Sequence, residues 1–358
     1  MRVLITGGSG YIGSRLLEVL VQEPELEEAI VLDIRPPRAM LPKVRFVKRS
    51  VTEDLTDLTA DRGRPVDAVL HLAWVLNPLR DAARQRQICI GGTRRVLEAC
   101  AAGRVKQLLF MSSGTAYGAH PEHDHPLQEF EPLRDHYHFQ YSAEKREAEG
   151  MCRRFAADHP GTLLQIVRPC VVGGPNVSNF LFRALDKSFV PVALGHDPEI
   201  QLVHEDDVAR ALLAILKSRV PGAFNVAADG TMTIREAYQM LGARVLALPL
   251  PVLRAAAWGA WWLDLKALVE APGDFVWFVA YPWLLSNRRL KEELGFQFRY
   301  TTREVLKSYL RAHRETWAAR TAGSSGDREP AGAPHAPPPA ERGATALAET
   351  VGGECQRR

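Results

Sequence analysis

The chain has 358 residues, 46% of them hydrophobic, which is enough to bury a core without covalent staples. Its net charge of +3 is slight, and Lys and Arg are interleaved with Asp and Glu, so nothing points to nucleic acid. Five cysteines, Cys89, Cys100, Cys152, Cys170 and Cys355, are odd in number and never spaced Cys-x-x-Cys, which speaks against a disulfide framework and a zinc site.

The first residues open straight into an apolar strand, Val3-Thr6, with no leader-like segment ahead of it, and the expected location is cytoplasmic. Thr6-Gly7-Gly8-Ser9-Gly10-Tyr11-Ile12-Gly13 follows, and Ile12, Leu16, Leu17 and Leu20 then recur at helical spacing. Strand, glycine turn and helix together predict a dinucleotide site. Gly7 permits the tight turn, Gly10 lets backbone approach a pyrophosphate, and Gly13 lets the helix pack on the strand. Unpaired N–H groups at the helix N-terminus face the phosphates. A second strand, Ala29-Asp33, ends in a carboxylate twenty residues after Gly13, placed to accept from ribose hydroxyls and to repel a 2′-phosphate. NAD is therefore expected over NADP, with Arg35 and Arg38 the nearby groups that favour the latter.

Further apolar runs predict strands at Val44-Val47, Ala68-Leu72, Leu108-Ser112 and Leu163-Val167, with helical patterns or longer crossovers between them. The alternation predicts an α/β fold, a Rossmann-type doubly wound parallel sheet with a smaller, mostly helical substrate lobe. Residues 1–170 are assigned to the dinucleotide-binding domain, with a returning contribution from about 200–228, and residues 171–318 to the substrate lobe. Residues 319–358 turn to Ala, Gly, Pro, Ser and Glu and predict a disordered tail. The segment Leu246 to Leu285 holds Trp258, Trp261, Trp262, Trp277 and Trp283. Its longest apolar stretch, Ala255-Leu263, is too short to span a bilayer and reads first as a core helix, with an aromatic lid or an interfacial helix as alternatives. Membrane contact is not expected.

Ser112-Ser113 ends the fifth strand, and Ser113 is selected as the hydroxyl that holds a substrate oxygen. Tyr141 and Lys145 stand four residues apart, on one face of the helix that follows. A phenol of ordinary pKa about 10 is a poor base at neutral pH, and a neighbouring ammonium stabilises its phenolate. Between Ser113 and Tyr141 a loop is crowded by His120, His123, His125, His136 and His138, whose spacing matches no zinc motif, and no metal is expected.

TGGSGYIG, Asp33, His71-Leu72-Ala73, Ser112-Gly118, Tyr141-Lys145, Arg168-Pro169 with Gly174-Pro175, and Val203-Ala209 occur in that order. Through them the chain resembles the extended short-chain dehydrogenase/reductases of the NAD-dependent epimerase/dehydratase family, of UDP-glucose 4-epimerase-like type, from residue 1 to about 312. The resemblance implies an NAD-dependent enzyme that transfers hydride at a secondary alcohol or ketone of a small-molecule substrate. In it Tyr141 handles the hydroxyl proton, Lys145 binds the nicotinamide ribose and tunes Tyr141, and Ser113 orients the oxygen. Cofactor contacts are implied for Gly7, Gly10, Tyr11, Ile12, Gly13, Asp33, Ser50, Val51, Leu72, Ala73, Tyr141, Lys145 and Arg168, and a homodimer is implied as well.

Several positions depart from the family's pattern. Cys89 stands where Asn usually organises a water path behind the Lys, and Ser50 where Asp usually binds the adenine amino group. Val171 and Ile200 replace an Asn and an Arg that nucleotide-sugar epimerases turn toward the diphosphate, leaving Arg183, Arg254 and Arg299 as substitutes. Gly114-Thr115 replaces the Asp-Glu pair of the dehydratases, so sugar dehydration is not expected. Three readings stay open: a sugar epimerase, a non-epimerising dehydrogenase or reductase of an apolar alcohol, and a catalytically weak NAD-binding sensor or scaffold.

Overall fold

The computed structural model describes residues 1–313 apart from 62, 136–138, 186, 188 and 266–267, so the expected tail, His136 and His138 lie outside the described residues. Apolar runs form β1 (Arg2–Thr6), β2 (Glu28–Asp33), β3 (Val44–Lys48), β4 (Ala68–His71), β5 (Gln107–Met111) and β6 (Leu163–Pro169). Among the described residues these join the edge strand Gly222–Val226 in one parallel sheet. Its order is edge strand, β6, β5, β4, β1, β2, β3. The order reverses between β1 and β4, where Thr6 lies beside His71. This is a Rossmann-type doubly wound sheet, and its ligand crevice belongs at that reversal, beyond the carboxyl ends of the strands.

Each strand feeds two cores. On one face Val3 and Ile5 pack with Leu16, Leu17 and Leu20 of the helix Tyr11–Leu20 and with Leu212 and Ile215 of the helix Glu205–Ser218. On the other, Leu4, Val69, Leu108 and Phe110 pack with Val96 of the helix Gly92–Gly103 and with Cys152 and Phe155 of the helix Gln140–Asp158. Burial on both faces is why these strands read as continuous apolar runs rather than as an alternation.

Beyond β6 the chain makes three short ribbons, pairing Val171–Gly173 with Leu202–His204, Glu199–Ile200 with Met232–Thr233, and Phe189–Ala193 with Arg244–Leu248. The tryptophan-rich segment forms the helix Leu250–Trp262 and the short turns Gly273–Val276 and Trp277–Ala280. The expectation of a core helix is corrected here, because Leu253 is the only buried residue of Leu250–Trp262. The helix rests on the Phe189–Ala193 strand and on the Gly273–Val276 turn, and no further layer covers its other side among the described residues. No helix of the described residues is long and apolar enough to cross a membrane.

Candidate active site

The carboxyl ends of the sheet strands open into a cavity of about 520 Å³ that continues among the elements after Pro169. At its inner end Gly7 takes φ +74°, and a Cβ there would stand 2.6 Å from the Ala73 nitrogen. A Cβ on Gly13 would overlap the Gly7 carbonyl oxygen, so the helix approaches the turn only because both residues lack side chains. Gly10 caps the helix Tyr11–Leu20 and no side chain bonds to the first amides, which leaves them to an anion. The Asp33 carboxylate accepts from the Ser9 and Arg35 amides, each at 3.2 Å. Tyr11, Ile12, Ser50, Val51, Leu72 and Ala73 line the same end. Glycine turn, bare helix N-terminus and ribose-side carboxylate together fit a dinucleotide.

The middle of the cavity holds Ser113, Tyr141 and Lys145. The Lys145 ammonium donates to the Met111 carbonyl at 2.6 Å, and the Trp74 ring lies under it at 3.7 Å from the centroid. Burial pushes Lys145 down from 10.5 to about 7. Tyr141 is displaced in the other direction: burial raises its phenol well above the ordinary value, while a hydrogen bond with Ser113 pulls back. The two serines at the end of β5 are distinguished by their partners. Ser112 donates to Glu149 at 2.6 Å, whereas the Ser113 hydroxyl faces Tyr141 and accepts from the Thr115 hydroxyl at 2.9 Å. Thr115 is in turn held by Ser142, which donates to its carbonyl at 2.6 Å.

Arg168 is the one expected cofactor contact that the structure places elsewhere. Its guanidinium is 1% exposed and donates to both oxygens of Glu149, at 2.9 and 2.6 Å, and to the Tyr117 hydroxyl at 2.5 Å. The chain turns this side chain into the protein behind β6, and only the following residues, Pro169 to Val172, reach the cavity. The described loop histidines also have protein partners: His120 meets the Arg134 carbonyl at 2.6 Å, His123 the Pro282 carbonyl at 3.3 Å, and His125 Asp124 at 2.7 Å.

Sequence reasoning passed over Trp74, although its place directly after His71-Leu72-Ala73 put it at the carboxyl end of β4, where it lines the cavity beside Lys145. It also passed over His71 as a structural link. That imidazole, pushed down to about 3 by burial, bridges the Thr6 and Thr93 hydroxyls at 2.8 and 3.0 Å and ties β1 to β4. Cys89 lies on a π-helical turn, Gln87–Gly91, in reach of Lys145 and Glu144, and burial raises its thiol to about 12. Glu144 beside it is buried and accepts from Gln140 at 2.7 Å and Gln85 at 3.2 Å.

The outer part of the cavity is apolar and aromatic, with Phe139, Phe180, Phe275, Phe278 and Trp283 joined by Val171 and Ile200. None of the three arginines considered as diphosphate ligands lines it. Arg183 pairs with Glu270 at 2.5 Å and Arg254 with Asp274 at 2.6 Å, and Arg299 does not reach it.

Residues 3–227 match the model of the NAD dependent epimerase/dehydratase family. The chain belongs to that family. An uncharacterized protein of Mycobacterium tuberculosis is 26% identical over 352 residues, covering 92% of each chain. The GDP-6-deoxy-D-mannose reductase of Pseudomonas aeruginosa is 28% identical over 256 residues, 67% of this chain and 79% of its own. Among solved structures, the dTDP-glucose 4,6-dehydratase DesIV from Streptomyces venezuelae with NAD bound matches at a TM-score of 0.67 and 22% identity. It covers 89% of this chain and 98% of that one, a likeness of fold. NAD is the cofactor of the NAD dependent epimerase/dehydratase family, and the Gly7–Gly13 turn with Asp33 suits it.

Proposed function

We propose that this member of the family is an NAD-dependent oxidoreductase that interconverts a secondary alcohol and a ketone on a predominantly apolar substrate, without epimerising it. One observation carries the reading. Among the described residues, the cations lining the cavity are Arg35 and Arg49 beside Asp33 and Ser50 and Lys145 in the middle, whereas the substrate end is aromatic. A diphosphate would have to shed its water there without gaining charged donors, which is costly.

In this mechanism the Ser113 and Tyr141 hydroxyls converge on the substrate oxygen and fix its carbinol carbon toward the inner end of the cavity. NAD, when bound, supplies or accepts the hydride. Tyr141 takes the hydroxyl proton in oxidation and returns it in reduction, and burial, which keeps the phenol protonated, suits the reductive direction. Lys145, positioned by the Met111 carbonyl, has further N–H groups to offer the nicotinamide ribose. Phe139, Phe275 and Phe278 pack together and exclude water from this point.

The second reading is chemistry on a nucleotide sugar, epimerisation included, favoured by the nucleotide-sugar names of the Pseudomonas reductase and the Streptomyces dehydratase. Turnover separates the two. The purified chain is supplied with NADH and a series of apolar ketones, and in parallel with UDP-glucose and dTDP-glucose followed by NMR. Stoichiometric NADH consumption on apolar ketones alone is the expected result. Sugar inversion without net change in NADH would replace the proposal with the second reading.

A further inference from the structure

The helix Leu250–Trp262 breaks the rule that a surface helix turns polar residues to water. Its single charged residue, Arg254, pairs with the buried Asp274 at 2.6 Å, with its side chain 41% exposed. On the side of the helix away from Arg254, Val252, Ala256, Gly259, Trp262 and Leu263 fall at helical spacing and form an outer stripe with no charge in it. Val252, Ala256, Trp262 and Leu263 are exposed, Trp262 by 79% and Leu263 by 73%, and a Cβ built on Gly259 would meet nothing within 4 Å. The stripe continues into Leu265 and Leu268, the latter 65% exposed. Phe189 belongs to the same end of the molecule, because the Lys187 ammonium, two residues before it, donates to the Leu268 carbonyl at 2.8 Å. A patch of this kind signals a partner rather than solvent.

Two observations identify the partner. Among the described residues two acidic groups at this tip are already paired, Asp264 with Arg80 at 2.6 Å and Glu270 with Arg183 at 2.5 Å. Among the described residues neither Lys187 nor Arg244 is in an ion pair: the Lys187 ammonium feels the charge of Glu270 but donates to the Leu268 carbonyl, and the Arg244 guanidinium sits 5.7 Å from the centroid of the exposed Phe189 ring. Apolar side chains including an exposed Trp, rimmed by cations outside any ion pair among the described residues, match the acyl boundary and anionic headgroups of a bilayer. The patch is also continuous with the cavity wall. Trp258 on the inner side of the helix packs on Gly273, and the next residues of the chain bring Phe275 and Phe278 to the substrate end.

We propose that the tip formed by Trp262, Leu263, Leu265, Leu268 and Phe189 rests on an anionic membrane surface, with the helix Leu250–Trp262 lying at the interface rather than crossing it. The substrate end of the cavity is thereby held close to the lipid, where an apolar alcohol or ketone partitions. The binding itself does not depend on the proposed reaction, since it is read without turnover.

The full chain is sedimented with phosphatidylcholine vesicles and with vesicles carrying phosphatidylglycerol, at low and high salt. Binding to the anionic vesicles, weakened by salt, is expected. Trp262→Ser with Leu263→Ser and Leu268→Ser should lower it at least tenfold while thermal melting and NAD binding are retained. Lys187→Glu with Arg244→Glu should cost at least about tenfold on anionic vesicles and little on neutral ones. Failure of the unaltered chain to sediment with either vesicle overturns the proposal, as does undiminished binding of the triple variant. Light scattering is run alongside. If the triple variant converts a dimer to a monomer and neither form binds vesicles, the patch covers a second copy of the chain and the membrane assignment is wrong.

Discussion

The Lys145 ammonium lies 3.7 Å from the centroid of the Trp74 ring and donates to the Met111 carbonyl, with the charges of Glu149 and Glu144 acting on it from further off. Because the folded chain releases this proton near pH 7 and the unfolded chain keeps it to about 10.5, unfolding binds a proton throughout that window. Folding stability therefore rises with pH from about 7 upward. A gain of about 2 kcal/mol between pH 7 and about 8.5 is expected in urea unfolding. Lys145→Met should flatten that rise, and Trp74→Leu should start it at lower pH, because the ring's π face stabilises the charged form. Above pH 9 the buried thiols Cys89 and Cys100, each pushed up to about 12, act in the opposite direction.

Tyr141→Phe removes one oxygen from the point where Ser113 and Tyr141 meet and leaves the packing against Phe139 in place. Turnover should fall by about 10²–10⁴-fold, the usual contribution of a positioned proton donor. NAD affinity, measured by calorimetry, should be unchanged. Equal turnover in this variant would remove the proposed mechanism.

Arg168 and Glu149 are both 1% exposed at their side chains, so neither charge can be left alone. Arg168→Met should destabilise the chain by about 3–5 kcal/mol, because it strands a buried carboxylate. The double change with Glu149→Leu should recover much of that loss. NAD affinity of whatever folds should stay near that of the unaltered chain, and a selective loss of NAD binding at full stability would return Arg168 to the cofactor.

Asp33 is held by the Ser9 and Arg35 amides with Arg35 also lining the cavity. Asp33→Ser takes away the repulsion of a 2′-phosphate and leaves that cation available. The ratio of NADP to NAD affinity should rise by about tenfold or more.

The sheet was legible because strands buried on both faces are apolar in their interiors and run into a polar or glycine stop, as Val3-Thr6 does at Gly7 and Ala29-Asp33 at its Asp. The edge strand Gly222–Val226 was not named as a strand, and Asn225 explains why. This buried polar residue in mid-strand donates to the Leu127 carbonyl at 2.8 Å and accepts from Tyr117 at 3.1 Å, partners distant in the chain. The co-location of Ser113, Tyr141 and Lys145 followed from strand end and helix spacing. The direction of the Arg168 side chain did not, since it depends on Glu149, four residues beyond Lys145, facing β6 from another element. The exposure of Leu250–Trp262 was hidden for a related reason: apolar composition reports what a helix can bury, whereas burial depends on which neighbours the rest of the chain provides.

Cys170, at the end of β6, is a cavity-lining thiol only 6% exposed and raised by burial above its ordinary pKa. The space that an occupant would fill is a route by which alkylating reagents reach it. Protection of this sulfur, followed by intact-mass spectrometry, thus works as an occupancy gauge for ligand screening before any turnover assay exists.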